Sequence, residues 1–205
     1  HSISMNSIRI VKGSRSPEFR DLKALGQSID RDWFGTPLAN PVRLIFWVAE
    51  ERFHFLIQAT PAPGLSHPGS HPHQYQAELW KYDVAEFFIS DPTSGRYLEF
   101  NLAPNGAWWS CGFSAPREPS PGEPSAIPGV KTLTRQDSDS WLAQASLPLS
   151  WLQKHYNFGP DSKINATFIL GSPRQIFLTA AAPADGEPDF HRSAEFLKSE
   201  FIALA

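Results

Sequence analysis

The chain has 205 residues, of which 19% are charged, and its formal net charge is −3. This length supports one large domain or two small ones, and because no linker divides the sequence we predict a single domain over residues 1–205. No run of lysine or arginine is present, so nothing predicts a surface for nucleic-acid phosphates. The longest apolar run, residues 42–49, contains Arg43 and is too short to span a membrane. We therefore expect a soluble domain that binds neither nucleic acid nor membrane.

The composition favours strands over helices. The chain contains nineteen prolines, thirteen glycines and fifteen phenylalanines, and scarcely any segment has helical periodicity. This pattern is typical of short strands joined by structured loops, and it predicts an all-β, antiparallel sandwich. The single cysteine, Cys111, excludes an internal disulfide and is expected to be a small core residue. The polar start after Met5 has no apolar h-region of a signal peptide, so the localisation stays open, with the cytoplasm slightly favoured.

The first part of the chain predicts a strand over residues 7–12, then a segment, residues 19–29, that fits either an edge strand or a single helical turn. Residues 41–50 and 52–60 are rich in β-branched and aromatic side chains and are separated by one polar pair, which predicts a hairpin. Apolar and polar residues alternate along its second strand. We therefore expect its apolar face in the core and its polar face, which bears His54, in water.

Two long segments are expected to be surface loops. Residues 61–76 combine proline and glycine with three histidines, His67, His71 and His73. Clustered histidines can bind zinc or copper, but a loop of this composition rarely supplies a fixed geometry, so we interpret it as a loop beside a binding face. The proline-rich residues 116–128 are expected to cross the surface without regular structure.

The C-terminal half predicts five more strands and two short helical pieces. These are strands over residues 130–135 and 141–147, a short helix near residues 148–155, strands over residues 165–170 and 175–180, one turn around residues 194–196 and a final strand over residues 198–204.

The central stretch, residues 79–113, predicts a three-stranded antiparallel meander with a hairpin turn at Asn105-Gly106. Strand alternation sends Leu98, Phe100 and Leu102 to the core, and it sends Tyr97, Glu99 and Asn101 to the opposite face together with Glu86. A two-residue turn would add Trp108 to this polar face and put Trp109 in the core. A three-residue turn would exchange the two tryptophans.

Carboxylates, an amide and tryptophans on one sheet face fit a polyhydroxylated ligand. Aromatic faces pack on the C–H surfaces of sugars, while fixed polar groups hydrogen-bond to hydroxyls. The alternative is an ordinary solvated face, since antiparallel sheets commonly leave one face wet. Glu86 favours a site, because a carboxylate within so apolar a run must find hydrogen-bond donors.

Several short motifs occur in one order along the chain: LW, DVAEFFISD, YLEFNLAPNGAW, WLAQASLPLSWL, INATFILGSPRQIFL and PDFHRSAEF. This order resembles family-nine carbohydrate-binding modules and the related DOMON-like domains, over most of the chain after Val42. The resemblance implies a β-sandwich of jelly-roll type that binds sugars or, in some DOMON relatives, haem.

The resemblance also assigns residues. It implies that Trp80 stacks on a sugar and that Glu86 contacts its hydroxyls. An arginine contact of the sugar-binding members falls on Asn101, and a second stacking tryptophan falls within residues 180–182, which are alanines here. Haem of the methionine-ligated type is not expected, because the only methionine is Met5.

We therefore expect a non-catalytic module for a carbohydrate or a similar polar small molecule. Its expected ligand-binding residues are Trp80, Glu86, Glu99, Asn101 and Trp108. No cofactor is expected, although structural calcium, which occurs in some sugar-binding members, has candidate ligands in Asp91 and residues 136–140.

Other roles stay open. The domain could instead be a structural or interaction domain with a protein partner. A hydrolase using Glu86 and Glu99 is disfavoured, because side chains this close leave no room for a glycosidic bond. His191 is expected to be a buried histidine that closes the sandwich.

Overall fold

A computed structural model describes residues 5–183 and 185–204. Within this part of the chain there are thirteen strands and two α-helices. The strands are β1 (Ser7–Lys12), β2 (Gln27–Arg31), β3 (Pro37–Ala49), β4 (Arg52–Ala59), β5 (Val84–Ser90), β6 (Tyr97–Leu102), β7 (Trp108–Ala115), β8 (Glu118–Pro119), β9 (Lys131–Gln136), β10 (Trp141–Pro148), β11 (Lys163–Leu170), β12 (Ile176–Thr179) and β13 (Leu197–Ala203). The helices are α1 (Asp21–Leu25) and α2 (Leu149–Tyr156), and 3₁₀ turns cover Leu79–Lys81 and Ser193–Glu195.

The strands form an all-β sandwich, as the sequence predicts. They pair in the order β8-β7-β6-β5-β11-β13-β1-β3-β4-β10-β9, with β2 beside β3 and β12 beside β11. Most of these pairs are antiparallel, but β1 runs parallel to both β13 and β3. The short helix predicted near residues 148–155 is α2. The finer assignment to a jelly roll stays a prediction.

The main core lies between two layers of this sheet. Phe87 of β5 meets Phe55 of β4 with ring centroids 5.2 Å apart, and it meets Phe46 of β3 at 5.8 Å. Behind it, Phe100 of β6 stacks on Phe87 at 5.0 Å. Because these rings are fully buried, truncating Phe87 to alanine would be expected to cost about 3–5 kcal/mol of stability.

The prediction that the polar face of β4 is exposed to water is wrong. His54 is only 4% exposed, and Leu56 on the same face is fully buried. This face packs in a second cluster with Trp47 and with Leu22 of α1. Residues 19–29 were predicted to form either a helical turn or an edge strand. They begin with the helical turn α1 and continue into the edge strand β2. The segment that carries α1 covers β4, which the alternation within β4 could not reveal.

Smaller features match or refine the predictions. Cys111 is buried in a satellite cluster, and burial raises the pKa of its thiol to about 12, which makes it unreactive. The proline-rich residues 116–128 do contain regular structure, because the two residues of β8 pair with β7. In the described part of the chain, no helix is both long and apolar enough to cross a membrane.

We predict that His54 makes the stability of the protein depend on pH. Burial, assisted by the nearby Arg52 charge, lowers the pKa of His54 to about 4, and its Nε2 has no hydrogen-bond partner among the described residues. An unfolded histidine titrates near pH ~6.5. The folded pKa is the lower one, so the contribution of neutral His54 to the free energy of unfolding is fully present above about pH 6.5. It is lost as the pH falls toward 4. His54→Gln should therefore lose less stability than the wild type between pH 7 and pH 4.5 in urea unfolding.

The matched control is His155→Gln, which changes an exposed histidine of α2 and should keep the full wild-type loss. Equal losses in the wild type and in His54→Gln would contradict the prediction.

Candidate functional site

A cavity of ≈ 540 Å³ lies on the face of the β5–β6–β7 meander that points away from the main core. Strands form its floor, while the 3₁₀ turn Leu79–Lys81, the turn after β7 and residues 188–191 form its walls. The lining residues are Trp80, Glu86, Phe88, Glu99, Trp109, Phe113, Arg117, Ile169, Pro188, Asp189, Phe190 and His191.

Strand register brings the two glutamates together, as predicted. Glu86 of β5 lies opposite Asn101 of β6, and Phe88 lies opposite Glu99. The two glutamates are therefore diagonal neighbours on one face. The predicted core face is confirmed, since Phe87, Phe100 and Leu102 all belong to the main cluster.

The two tryptophans of β7 are exchanged relative to the expected site. Asn101 pairs with Trp109 and Leu102 pairs with Trp108, which is the register of the longer turn. Trp108 is buried in the core and stacks on Phe100 at 5.7 Å, so its assignment to the ligand-binding face is wrong. The turn continues the pairing through Ala103 and Ala107, and Gly106 adopts a φ of 85° there. Trp109 lines the cavity in place of Trp108.

Asn101 lies on the expected face but beneath the cavity floor. It is 0% exposed and does not line the cavity, and its neighbours across the strands are Glu86 and Trp109. Neither its amide nitrogen nor its amide oxygen has a hydrogen-bond partner in residues 5–183 and 185–204. It therefore supports the floor of the site.

Glu86 and Glu99 form a carboxyl pair. The Thr167 hydroxyl donates a hydrogen bond of 2.9 Å to Glu86, which is 3% exposed and also hydrogen-bonds to Glu99. Burial, followed by the charge of Glu99, raises the pKa of Glu86 well above its ordinary value. Glu86 therefore keeps a proton at pH values where an exposed glutamate is ionised.

His191 extends this pair into a chain of hydrogen bonds. Its Nε2 lies 3.1 Å from Glu99 Oε1, and its Nδ1 lies 2.7 Å from the Tyr97 hydroxyl. The backbone N–H of Arg117 donates to the same hydroxyl at 3.4 Å. The expected role of His191 as a buried residue closing the sandwich is wrong, because it is partly exposed and lines the cavity.

An ion pair that the sequence did not indicate closes one side of the cavity. Arg117 lies 2.6 Å from Asp189 and joins the turn after β7 to residues 188–191. The two residues are far apart in the chain and belong to loops, so no strand periodicity relates them. The PDFH motif did mark the segment that contains Asp189, but it did not indicate a partner.

Aromatic rings from several elements surround these polar groups. Trp80 is 49% exposed, and Trp109 and Phe190 line the same cavity. Ala180 and Ala181, where the resemblance implied a second stacking tryptophan, are buried beside a different cavity of ≈ 120 Å³. The aromatic rings of the cavity therefore come from the 3₁₀ turn Leu79–Lys81, from β5 and β7, and from residues 188–191.

The residues considered for metals are engaged in other contacts. Asp91 accepts hydrogen bonds from Thr93, Ser94 and Asn157. His67 accepts one from the Gly69 backbone, and His73 pairs with Thr132. Within the described ranges, no group of three or more His, Cys, Asp or Glu residues is arranged to hold a metal ion.

No protein-family profile matches the chain. Among curated proteins, it is 26% identical over 185 residues to the UPF0462 protein C4orf33 homolog of Mus musculus, covering 86% of this chain and 91% of the relative. The Rattus norvegicus counterpart is 26% identical over 189 residues, covering 86% of this chain and 88% of the relative.

Solved structures share the fold. A candidate carbohydrate-binding protein from Bacteroides uniformis aligns with a TM-score of 0.71 at 19% identity, covering 96% of this chain and 98% of that one. A family-nine carbohydrate-binding module from Caldicellulosiruptor kristjanssonii in complex with glucose aligns with a TM-score of 0.63 at 12% identity, covering 96% and 97%. The same type of module in complex with cellotriose gives 0.63 at 11% identity, covering 96% and 95%. The chain therefore has the fold of family-nine modules.

We predict that Glu86→Gln stabilises the protein progressively as the pH rises. The folded pKa of Glu86 lies above the ordinary value of 4.5. The stabilising contribution of neutral Glu86 is therefore fully present below pH 4.5, and it is lost as the pH rises through the folded pKa. Glutamine retains a neutral side chain of similar shape. The difference in the free energy of unfolding between variant and wild type should grow from pH 5 to pH 8, by at most about 1.4 kcal/mol per pH unit.

Glu118→Gln, on the exposed strand β8, is the control and should show no such trend. A Glu86→Gln difference that stays constant with pH would show that Glu86 is already ionised at pH 5.

Proposed function

We propose that this chain is a non-catalytic carbohydrate-binding domain whose ligand occupies the cavity on the β5–β6–β7 meander. The observation that carries the proposal is the half-exposed ring of Trp80 at a cavity that also holds the Glu99–His191 and Arg117–Asp189 pairs. The shared fold with modules solved in complex with glucose and cellotriose supports it.

The two kinds of lining residue would act on different parts of a sugar. The rings of Trp80, Trp109 and Phe190 offer apolar faces to C–H groups. Glu99 accepts hydrogen bonds from hydroxyls, while the guanidinium of Arg117 donates them. The volume of ≈ 540 Å³ falls within the range of small-molecule sites, roughly 300–1,000 Å³.

The geometry of the carboxyl pair favours binding over hydrolysis. Glycosidases hold two carboxyl groups about 5–10 Å apart so that a glycosidic bond, with or without a water, fits between them. Glu86 and Glu99 hydrogen-bond directly to each other. A glycosidic oxygen has no place between them, and Glu86 is only 3% exposed at the cavity that it lines.

We predict that Trp80→Ala weakens binding of a cello-oligosaccharide by about tenfold or more. The lost stacking contact is expected to contribute about 1.5 kcal/mol, and the fold should persist because Trp80 is 49% exposed. Isothermal titration calorimetry with cellotetraose measures the affinity, and circular dichroism checks the fold.

Phe34→Ala removes another exposed ring, 67% accessible and outside the cavity, and should leave the affinity unchanged. Equal affinities for the wild type and Trp80→Ala would exclude this cavity as the site. Absence of binding across a panel of neutral, aminated and acidic oligosaccharides would overturn the proposed function.

A further inference from the structure

We propose that the preferred ligand of this cavity carries a positively charged amino group, as in an oligosaccharide of glucosamine with free amines. The inference rests on the proposed function and specifies its ligand class. It is carried by the excess of carboxyl groups over permanent cations in a cavity whose walls are largely aromatic.

The formal charges of the cavity do not cancel. The acids that line it are Glu86, Glu99 and Asp189, and Arg117 is its permanent cation. Arg117 already pairs with Asp189 at 2.6 Å. Lys81, whose ammonium lies 5.6 Å from the centre of the Trp80 ring, pairs with Glu78 at 3.0 Å. Both cations thus have their own counter-ions, and neither balances the glutamate pair.

Hydrogen bonds connect that pair to neighbouring side chains. The Tyr97 hydroxyl accepts from the Arg117 backbone N–H and also hydrogen-bonds to His191 Nδ1. His191 Nε2 lies 3.1 Å from Glu99 Oε1, within hydrogen-bond distance of that carboxyl group. Glu86 donates its proton to Glu99 from the other side. Glu99 thus lies between the Glu86 carboxyl group and His191, and neither Arg117 nor Lys81 pairs with it.

Aromatic faces favour a cation at the same place. The rings of Trp80, Phe88, Trp109, Phe113 and Phe190 all line the cavity. A cation above such rings is attracted by their negative faces, and the attraction grows when water is displaced. An ammonium group would therefore be attracted both by the Glu99 carboxylate and by the faces of the aromatic rings. A carboxylate on the ligand would meet Glu99 as a like charge, with Arg117 already engaged.

Binding of an ammonium group should also release a proton. Glu86 stays protonated partly because of the charge of Glu99, and the other groups that face the pair are Thr167, His191, Asp189 and Arg117. A cation bound beside the pair would offset the repulsion between two carboxylates and favour ionisation of Glu86. Affinity should therefore rise with pH until the ligand amine loses its own proton.

The test is titration calorimetry at pH 6 with four tetrasaccharides. These are oligomers of glucosamine, N-acetylglucosamine, glucose and galacturonic acid. The glucosamine oligomer should bind about tenfold tighter than the glucose oligomer, and the galacturonic acid oligomer should bind weakest. Glu99→Gln should reduce the ratio of aminated to neutral affinity to near one, while the control Glu118→Gln should keep the wild-type ratio.

Proton release gives a second readout. Binding of the glucosamine oligomer should produce different heats in phosphate and imidazole buffers in the wild type, but not in Glu86→Gln. Identical heats in the wild type would overturn the placement of the amine beside the glutamate pair.

The outcomes separate the two proposals. If the glucose oligomer binds as tightly as the glucosamine oligomer, or if the preference persists in Glu99→Gln, the amine inference fails and the carbohydrate-binding proposal stands. If none of the four oligomers binds, both fail.

Discussion

The packing of Phe87 between the two layers is the interaction on which the rest of the structure depends. Its ring contacts Phe46, Phe53 and Phe55 of the opposite layer, and Phe100 stacks on it from the neighbouring strand. A shift of β5 by one residue would remove Phe87 from these contacts and bring Glu86 into the apolar core, at a cost of several kcal/mol. The core therefore determines which face of β5 carries the carboxyl pair.

The position of Glu86 explains the chemistry of the site. Facing away from the core, Glu86 still lies beneath neighbouring strands and is almost fully buried. A lone charge there would be costly, so burial and Glu99 raise the pKa of Glu86, while the Thr167 hydroxyl donates a hydrogen bond to it. His191 and Tyr97 then hold Glu99 in one orientation. The site is therefore preorganised by hydrogen bonds that exist before any ligand binds.

Local sequence patterns predicted the features that depend on neighbouring residues in the chain. They did not predict the contacts that depend on segments distant in sequence. Alternation along β5 and β6 identified the core face and the shared face of Glu86 and Glu99. The turn at Asn105-Gly106 was ambiguous, since one residue of turn length separates two opposite placements of Trp108. The burial of His54 and the pairing of Arg117 with Asp189 depend on loops that fold back from elsewhere in the chain. Such contacts leave no periodic signal within one strand.

This chain has an arginine at position 117 and not at position 101, and this placement changes the electrostatics of the site. The resemblance to sugar-binding modules implied an arginine at position 101, where this chain has a fully buried asparagine opposite Glu86. A guanidinium there would stabilise the carboxylate form of Glu86 and lower its pKa. With an uncharged amide at that position, burial and Glu99 raise the pKa of Glu86 against only the Thr167 hydrogen bond, which lowers it. The arginine that does reach the cavity comes from the turn after β7, where Asp189 pairs with it. Among the described residues, no arginine therefore pairs with Glu86 or Glu99, and this distinguishes the cavity from one in which an arginine lies directly against the glutamate.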